Sequence, residues 1–149
     1  ETFAEACAVN AAKSSPQKKV SMQCFNLFPK IREIDAVMDE AQQCRVYESH
    51  PELAFWAMNG ELPLLLAKKI KGQPSPPGLA LRRQLLVDAG FPVDRLPPVH
   101  YRRIDVGADD LIDACACAWV ARRILEKKHF CFPANPPIDA KGLRMEINA

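Results

Sequence analysis

Apolar residues recur at helical spacing over most of the chain, and this pattern predicts about five helices. Proline and glycine mark several helix ends, since proline is tolerated in the first turn and glycine favours the position after the last. Pro51 and Gly60 bracket one helix in this way, and Gly90 ends another. The predicted helices cover residues 2–12, 21–38, 51–60, 79–89 and 109–128, and Pro29 is expected to open the main part of the second.

Only two segments have the pattern of a strand. Residues 44–49 (CRVYES) are the better one, because the segment is short, contains Val46 and Tyr47 and is followed by a proline turn. Apolar and charged residues alternate in 142–148, which is the period of a strand with one buried face. Residues 91–106 contain prolines and no clear period, so they predict an irregular connection. We therefore predict an α/β fold that is rich in helices and poor in strands.

Length, charge and cysteine content narrow the class of protein. A chain of 149 residues suits a single domain over residues 1–149. The balance of 20 basic and 18 acidic residues is too even to indicate a polyanionic partner by itself. No apolar run approaches the roughly 18 residues of a membrane span, so we expect no membrane association. Six cysteines without C-x-x-C spacing argue against a zinc ribbon and are typical of reduced thiols in a cytoplasmic protein.

One carboxylate stands out within the strongest helical pattern. Between Leu111 and Ala121, Asp113 is the only polar side chain apart from thiols and an indole. A helix that is apolar on every side is typically buried, and a buried carboxylate is unfavourable unless it is paired, hydrogen-bonded or bound to a metal. Asp110 lies on the same face, one turn earlier. The alternative is that Asp109 or Asp110 caps the helix while Asp113 interacts with the helix dipole.

Glu48 places a second acid at a strand end. In the predicted strand it shares a face with Cys44 and Val46, at the carboxyl end where active sites form in open α/β sheets. The alternative is that the Glu48 carboxylate is simply solvated. Glu52 is either a negative charge that favours the start of the next helix or a residue that supports the site. Carboxylates converging from a strand and a helix suit Mg²⁺ or Mn²⁺, and two such ions can activate water in phosphodiester hydrolysis.

The remaining polar residues are weaker candidates. His50 precedes a proline and is expected to fix the turn into the helix, with a supporting role at the site as the alternative. Lys68, Lys69 and Arg83 belong to basic pairs that could contact phosphates, although solvated charge is the ordinary interpretation of such pairs. The sequence has neither a G-x-S-x-G motif nor a P-loop.

Several segments taken together resemble one family. The runs VYESHPELAFWAMNG, LAKK, LRRQLL, DDLIDACACAWVARRI and GLRMEI occur in that order, and FNLFPKIREID precedes them. This combination resembles DUF429, a large bacterial and archaeal family of unknown function whose members are described as predicted nucleases of ribonuclease H-like fold. The resemblance extends from Phe25 to Ile147.

The resemblance implies a site and a reaction. Glu48 matches the acid at the end of the fourth strand of that fold. Asp110 and Asp113 match the acids of its last helix, in a D-x-x-D-A pattern also seen in Holliday-junction resolvases. Such a hydrolase would cleave nucleic acid with Mg²⁺ or Mn²⁺ held by these three residues, which would be both its metal ligands and its catalytic residues. Which of Asp109, Asp110 and Asp113 would bind the metal stays open.

The chain also departs from the family pattern. Members normally begin with three antiparallel strands, the first of which carries the central metal-binding aspartate, and residues 1–43 lack that pattern. We therefore expect an N-terminally truncated ribonuclease H-like domain that resembles the C-terminal two-thirds of the family. The strand at 44–49 would have an open edge, covered by a second copy, by another chain or by a rearranged terminal segment. Because the first-strand aspartate is absent, a non-catalytic binding or assembly module is the competing prediction. Convergence of the Glu48 carboxylate with those of Asp110 and Asp113 in the folded chain would favour the nuclease.

Overall fold

The computed structural model describes residues 2–92, 106–107 and 109–149. Contacts divide the chain into two compact units, Glu1–Arg45 and Val46–Ala149. The regular structure is mostly helical and its strands are short, in agreement with the helix-rich α/β class predicted from the sequence. Most of the irregular connection predicted for residues 91–106 lies outside the described residues.

The first unit consists of the helices α1 (Phe3–Lys13), α2 (Met22–Val37) and α3 (Glu40–Gln43). A capping box starts α1, since the Thr2 side chain accepts the N–H of Glu5 while the Glu5 carboxylate accepts the N–H of Thr2. The hydroxyl of Ser21 caps α2, and the helix continues through Pro29. The helix therefore starts next to Ser21 as predicted, but it is continuous through Pro29, which does not open a separate main part.

The second unit contains three helices and four short strands among its described residues. They are α4 (Pro51–Met58), β1 (Lys69–Ile70), β2 (Gln73–Pro74), α5 (Pro76–Asp88), α6 (Asp110–Leu125), β3 (Cys131–Phe132) and β4 (Ile147–Asn148). The strands pair antiparallel, β1 with β2 and β3 with β4. Lys71 and Gly72 both have positive φ, at 49° and 78°, which is the backbone of a two-residue hairpin that the sequence pattern did not predict.

Proline marks the start of two helices in the second unit. Pro51 lies in the first turn of α4 as predicted, and His50 caps the helix because its Nδ1 accepts the N–H of Glu52 at 3.2 Å. The α5 helix begins at Pro76 and not at residue 79, since proline is compatible with the first turn. Of the strand predicted at 142–148, only the end is regular, as β4.

Residues 44–49 do not form the predicted strand. Within the described part of the chain, their ladder contact is a single parallel bridge between Ser49 and Asn148, where the N–H of Asn148 donates to the Glu48 carbonyl at 2.8 Å. Strand-forming residues do not make a strand without neighbours that complete the hydrogen bonds. The open edge expected here is therefore not formed by these residues, and association with a second chain stays a prediction.

The core of the second unit lies between α4, α5 and α6. Its fully buried side chains include Phe55 from α4, Leu86 from α5 and Val120 from α6. Ala114 and Ala118 of α6 are exposed, so the prediction that this helix is buried on every side is wrong. Alanine is apolar but small, and its exposure forgoes little hydrophobic free energy. None of the helices in the described ranges is long and apolar enough to cross a membrane.

Candidate functional site

Arg82 is a buried arginine that joins three segments of the second unit. The residue is 3% exposed, and its guanidinium group donates to both carboxylate oxygens of Glu52 in α4, at 3.0 and 2.6 Å. Its Nη1 donates to the backbone carbonyls of Leu66 and Gly78, each at 2.9 Å. The guanidinium carbon lies 5.7 Å from the centre of the Phe55 ring. Glu52 is thus half of a structural ion pair, and the segment around Leu66 is anchored to α5.

The backbone that leads into β1 lies directly on α5. The N–H of Ser75 donates to the carbonyl of Lys68 at 2.8 Å. A Cβ at Gly78 would collide with the carbonyl oxygen of Ala67, so the close approach depends on the missing side chain. These contacts fix the backbone from which Lys68 and Lys69 project toward the start of α6.

The first turn of α6 supplies the acidic side of the site. Asp109 is the N-cap residue and is buried, and its carbonyl accepts the N–H of Asp113 at 2.9 Å. These two residues are one turn apart, so their side chains lie on the same face. Asp110 is exposed, and its Oδ2 accepts the N–H of Gly107 at 2.7 Å. Asp110 therefore ties the start of α6 to the preceding residues and does not cap the helix, while the pair on one face is Asp109 and Asp113.

Two lysines and two aspartates meet at this point, and we call Lys68, Lys69, Asp109 and Asp113 the charge cluster. The Nζ of Lys68 is 2.5 Å from Oδ2 of Asp113 and 3.8 Å from Oδ2 of Asp109. The Nζ of Lys69 is 2.8 Å from the same Asp109 oxygen. The Lys69 side chain is 46% exposed, whereas that of Lys68 is only 24% exposed. The cluster is therefore electrically balanced, with Lys68 lying between the two carboxylates.

Electrostatics favours the charged forms of Asp109 and Lys69. The hydrogen bond from Lys69 holds the pKa of Asp109 below its ordinary value, although burial acts in the opposite direction. The same contact raises the pKa of Lys69. The second carboxylate oxygen of Asp113, Oδ1, takes no part in these contacts. It is buried and has no hydrogen-bond partner in the described part of the chain. A buried carboxylate oxygen without a partner is a ready ligand atom for a cation.

The other predicted site residues lie apart from the charge cluster. Glu48 is exposed, and its carboxylate makes no hydrogen bond or ion pair with a described residue. Arg83 is half-buried and likewise makes none within the described ranges. His50 and Glu52 are engaged at the start of α4. Among the described residues no three His, Cys, Asp or Glu side chains form a group that could hold a metal, so Glu48 is not brought together with Asp110 and Asp113.

The burial of Arg82 was not predicted, because the ordinary interpretation of a basic pair such as Arg82 and Arg83 is solvated charge. A signal was present, because Leu79 and Leu86 lie three residues before and four after Arg82, on the same helical face, and Leu86 is fully buried. Sequence reasoning also treated the lysines and the aspartates separately. No local spacing could join them, since Lys68 and Asp113 are 45 residues apart.

The fold and the site define a helix-rich α/β chain with a balanced carboxylate–lysine cluster at the start of a core helix. Residues 1–138 match the family described as "Protein of unknown function (DUF429)". The match covers most of the chain, so the chain belongs to that family, as the motifs indicated. Neither the comparison with curated proteins nor the comparison with solved structures gives a match.

Proposed function

We propose that this protein is a Mg²⁺- or Mn²⁺-dependent hydrolase of phosphodiester bonds in nucleic acid, of ribonuclease H-like type, with the charge cluster as its active centre. The observation that carries the proposal is the position of Asp109 and Asp113. Their carboxylates lie on one face at the start of α6 and share one cationic group, the Nζ of Lys68. The two carboxylates therefore converge on one position, which the Lys68 ammonium group holds in this structure.

Asp109 and Asp113 would supply two of the ligands of a hard divalent cation. Mg²⁺ is commonly held by one or two carboxylates together with water and substrate phosphates, and Asp109 and Asp113 provide that number. The buried, unpartnered Oδ1 of Asp113 adds a ligand atom that no described residue uses. When bound, such an ion supplies activation of water and stabilisation of the leaving oxygen. Glu48 is not brought to this pair among the described residues, so the remaining ligands would come from water and substrate phosphate.

Two lysines and Asp110 would have the remaining roles at the site, which are binding the substrate and holding the metal ligands in place. Lys68 and Lys69 bring positive charge to the edge of the carboxylates, where a phosphate of the substrate would lie. Asp110 holds the start of α6 through Gly107 and so keeps Asp109 and Asp113 in place. All six cysteines are free thiols, which supports a cytoplasmic location for this activity.

Cleavage assays test the proposal directly. Single-stranded, duplex and branched DNA and RNA would be incubated with the full chain, with Mg²⁺, with Mn²⁺ and with chelator. We expect metal-dependent cleavage that falls at least about 100-fold in Asp113→Asn and in Asp109→Asn, since each removes a ligand charge. Asp88→Asn, which alters an exposed carboxylate on α5, is the matched control and should cleave normally. Absence of cleavage of every substrate, or an unchanged rate in Asp113→Asn, would contradict the proposal.

A second candidate function is a non-catalytic binding or assembly module. The observation that favours it is that Asp109 and Asp113 each already have a lysine partner, so the cluster is balanced without a metal. In that case nucleic acid would be bound without cleavage in any metal, and Asp113→Asn would lower the free energy of unfolding while leaving the affinity for nucleic acid unchanged.

A further inference from the structure

We infer that α2 joins two copies of this chain in a short parallel coiled coil. The contact is made by apolar side chains on one face of the helix, which we call the α2 seam: Cys24, Leu27, Ile31 and Ile34. The inference does not depend on the proposed function, because no residue of the seam belongs to the charge cluster. It assigns this face of the protein a partner of the same sequence.

The seam residues have the spacing that packs two helices together. They are separated by three, four and three residues, so they occupy the first and fourth positions of two successive heptads. The 16 residues of α2 are enough to hold both heptads. Side chains at these positions lie on one side of a helix and interlock with the equivalent side chains of a partner helix.

This face is left open within the described part of the first unit. Leu27, Ile31 and Ile34 are 47%, 55% and 60% exposed, and α2 contains no buried residue. A row of large apolar side chains exposed to water is typical of an interaction surface. The helix also contains Pro29, which is unfavourable inside a helix, so α2 needs packing against other elements to be stable.

The contact between α1 and α2 uses a different face of α2. The ring centre of Phe25 lies 5.5 Å from that of Phe3 in α1 and 5.5 Å from that of Phe28. At 3.6 residues per turn, Phe25 and Phe28 point roughly 110° away from the seam, and Pro29 lies on the side opposite to it. Both α1 and the proline ring therefore leave room for a second helix on the seam.

Charges beside the seam select a second copy and its direction. Lys30 lies on one flank of the seam, and Asp35 lies on the other flank, five residues further along the chain. In a parallel coiled coil these two positions face each other, so Lys30 of each copy meets Asp35 of the other, and two-fold symmetry forms the pair twice. In an antiparallel arrangement each flank would face its own equivalent, and the opposite charges would not meet. The face is thus complementary to itself.

Analytical ultracentrifugation of the full chain measures this association, over protein concentrations from about 1 to 500 µM. We expect the mass to rise from that of one 16.6 kDa chain to that of two. Ile31→Gln should raise the Kd of the dimer at least about 100-fold, because it removes one buried isoleucine from each copy. Ile138→Gln is the matched control, since Ile138 is similarly exposed but lies in the second unit, and its Kd should equal that of the wild type. Leu27→Gln is a second seam variant, used if Ile31→Gln does not unfold cooperatively.

Charge exchange and cross-linking test the direction of the helices. Lys30→Glu should weaken the dimer about fivefold, and combining it with Asp35→Lys should restore the Kd of the wild type. The Cys24 thiols of the two copies face each other only in the parallel arrangement. Copper–phenanthroline with dissolved oxygen should therefore join them in a disulfide between copies, which peptide mass spectrometry would detect in the wild type and not in Cys24→Ser.

A protein that stays monomeric at every concentration would overturn the inference, because the seam would then be covered within one chain or by a partner of another sequence. A dimer that the seam variants leave unchanged would overturn it as well. Absence of the Cys24 cross-link, together with no rescue by the double charge variant, would overturn the parallel arrangement.

Discussion

Removal of the Arg82 guanidinium should destabilise the second unit strongly. Arg82→Met keeps an unbranched apolar stem but deletes every donor. The substitution leaves the carboxylate of Glu52 without its partner and removes the side-chain donor to the carbonyl oxygens of Leu66 and Gly78. These hydrogen bonds hold α4, α5 and the segment before β1 together. Their loss should therefore lower the stability of the second unit as a whole.

The magnitude follows from the exposure of the groups left behind. Removing one partner of a buried ion pair costs about 3–5 kcal/mol, because the other charge stays uncompensated. The Glu52 side chain is 37% exposed, so water can solvate its carboxylate and the lower end of that range applies. A loss of about 3 kcal/mol corresponds to a fall in Tm of about 12 °C or more for a unit of roughly 100 residues.

Urea denaturation followed by tryptophan fluorescence measures this change, because Trp119 is buried in the core. Arg83→Met is the matched control on the same helix, since Arg83 makes no ion pair with a described residue, and its free energy of unfolding should change by less than about 0.5 kcal/mol. If Arg82→Met lost less than about 1 kcal/mol, the buried ion pair would contribute little, and the anchoring of Lys68 would need another explanation.

Three further substitutions or modifications have expected outcomes. Burial acts to raise the pKa of Glu146, but hydrogen bonds from an arginine and a thiol outweigh it and lower the pKa. Glu146→Gln should therefore reduce the free energy of unfolding at pH 7, and this loss should vanish as the pH falls below 4.5. Urea titrations at a series of pH values measure both effects. Gly78→Ala should destabilise by about 2 kcal/mol or more in the same assay, because its Cβ meets a backbone carbonyl. Burial raises the pKa of the Cys115 thiol, so iodoacetamide should modify Cys115 more slowly than the exposed Cys24. Mass spectrometry measures the two rates of modification, and equal rates would contradict the burial of Cys115.

The ends of several elements were predictable from the sequence because the responsible groups are close in the chain. His50 and Pro51 fix the start of α4 through one side chain and one restricted φ, and both act within two residues. Asp109, Asp110 and Asp113 were recognisable as the polar end of an apolar helix, but neither Asp109 nor Asp110 caps it with its side chain, as one alternative had predicted. The motifs that indicated the family belong to this same local information.

The partners of the charged residues were decided by the tertiary structure. Lys68 meets Asp113 across 45 residues, and Arg82 meets Glu52 across 30, because α4, α5 and α6 pack around one core. The same dependence explains the error at residues 44–49, where the strand-forming pattern found only a single bridge. Caps and turns are determined by groups a few residues away, whereas ion pairs and strands need a neighbour from elsewhere in the chain. The sequence by itself therefore determined the family and the approximate position of the main helices, and the packing of the helices decided that the two lysines lie against the two aspartates.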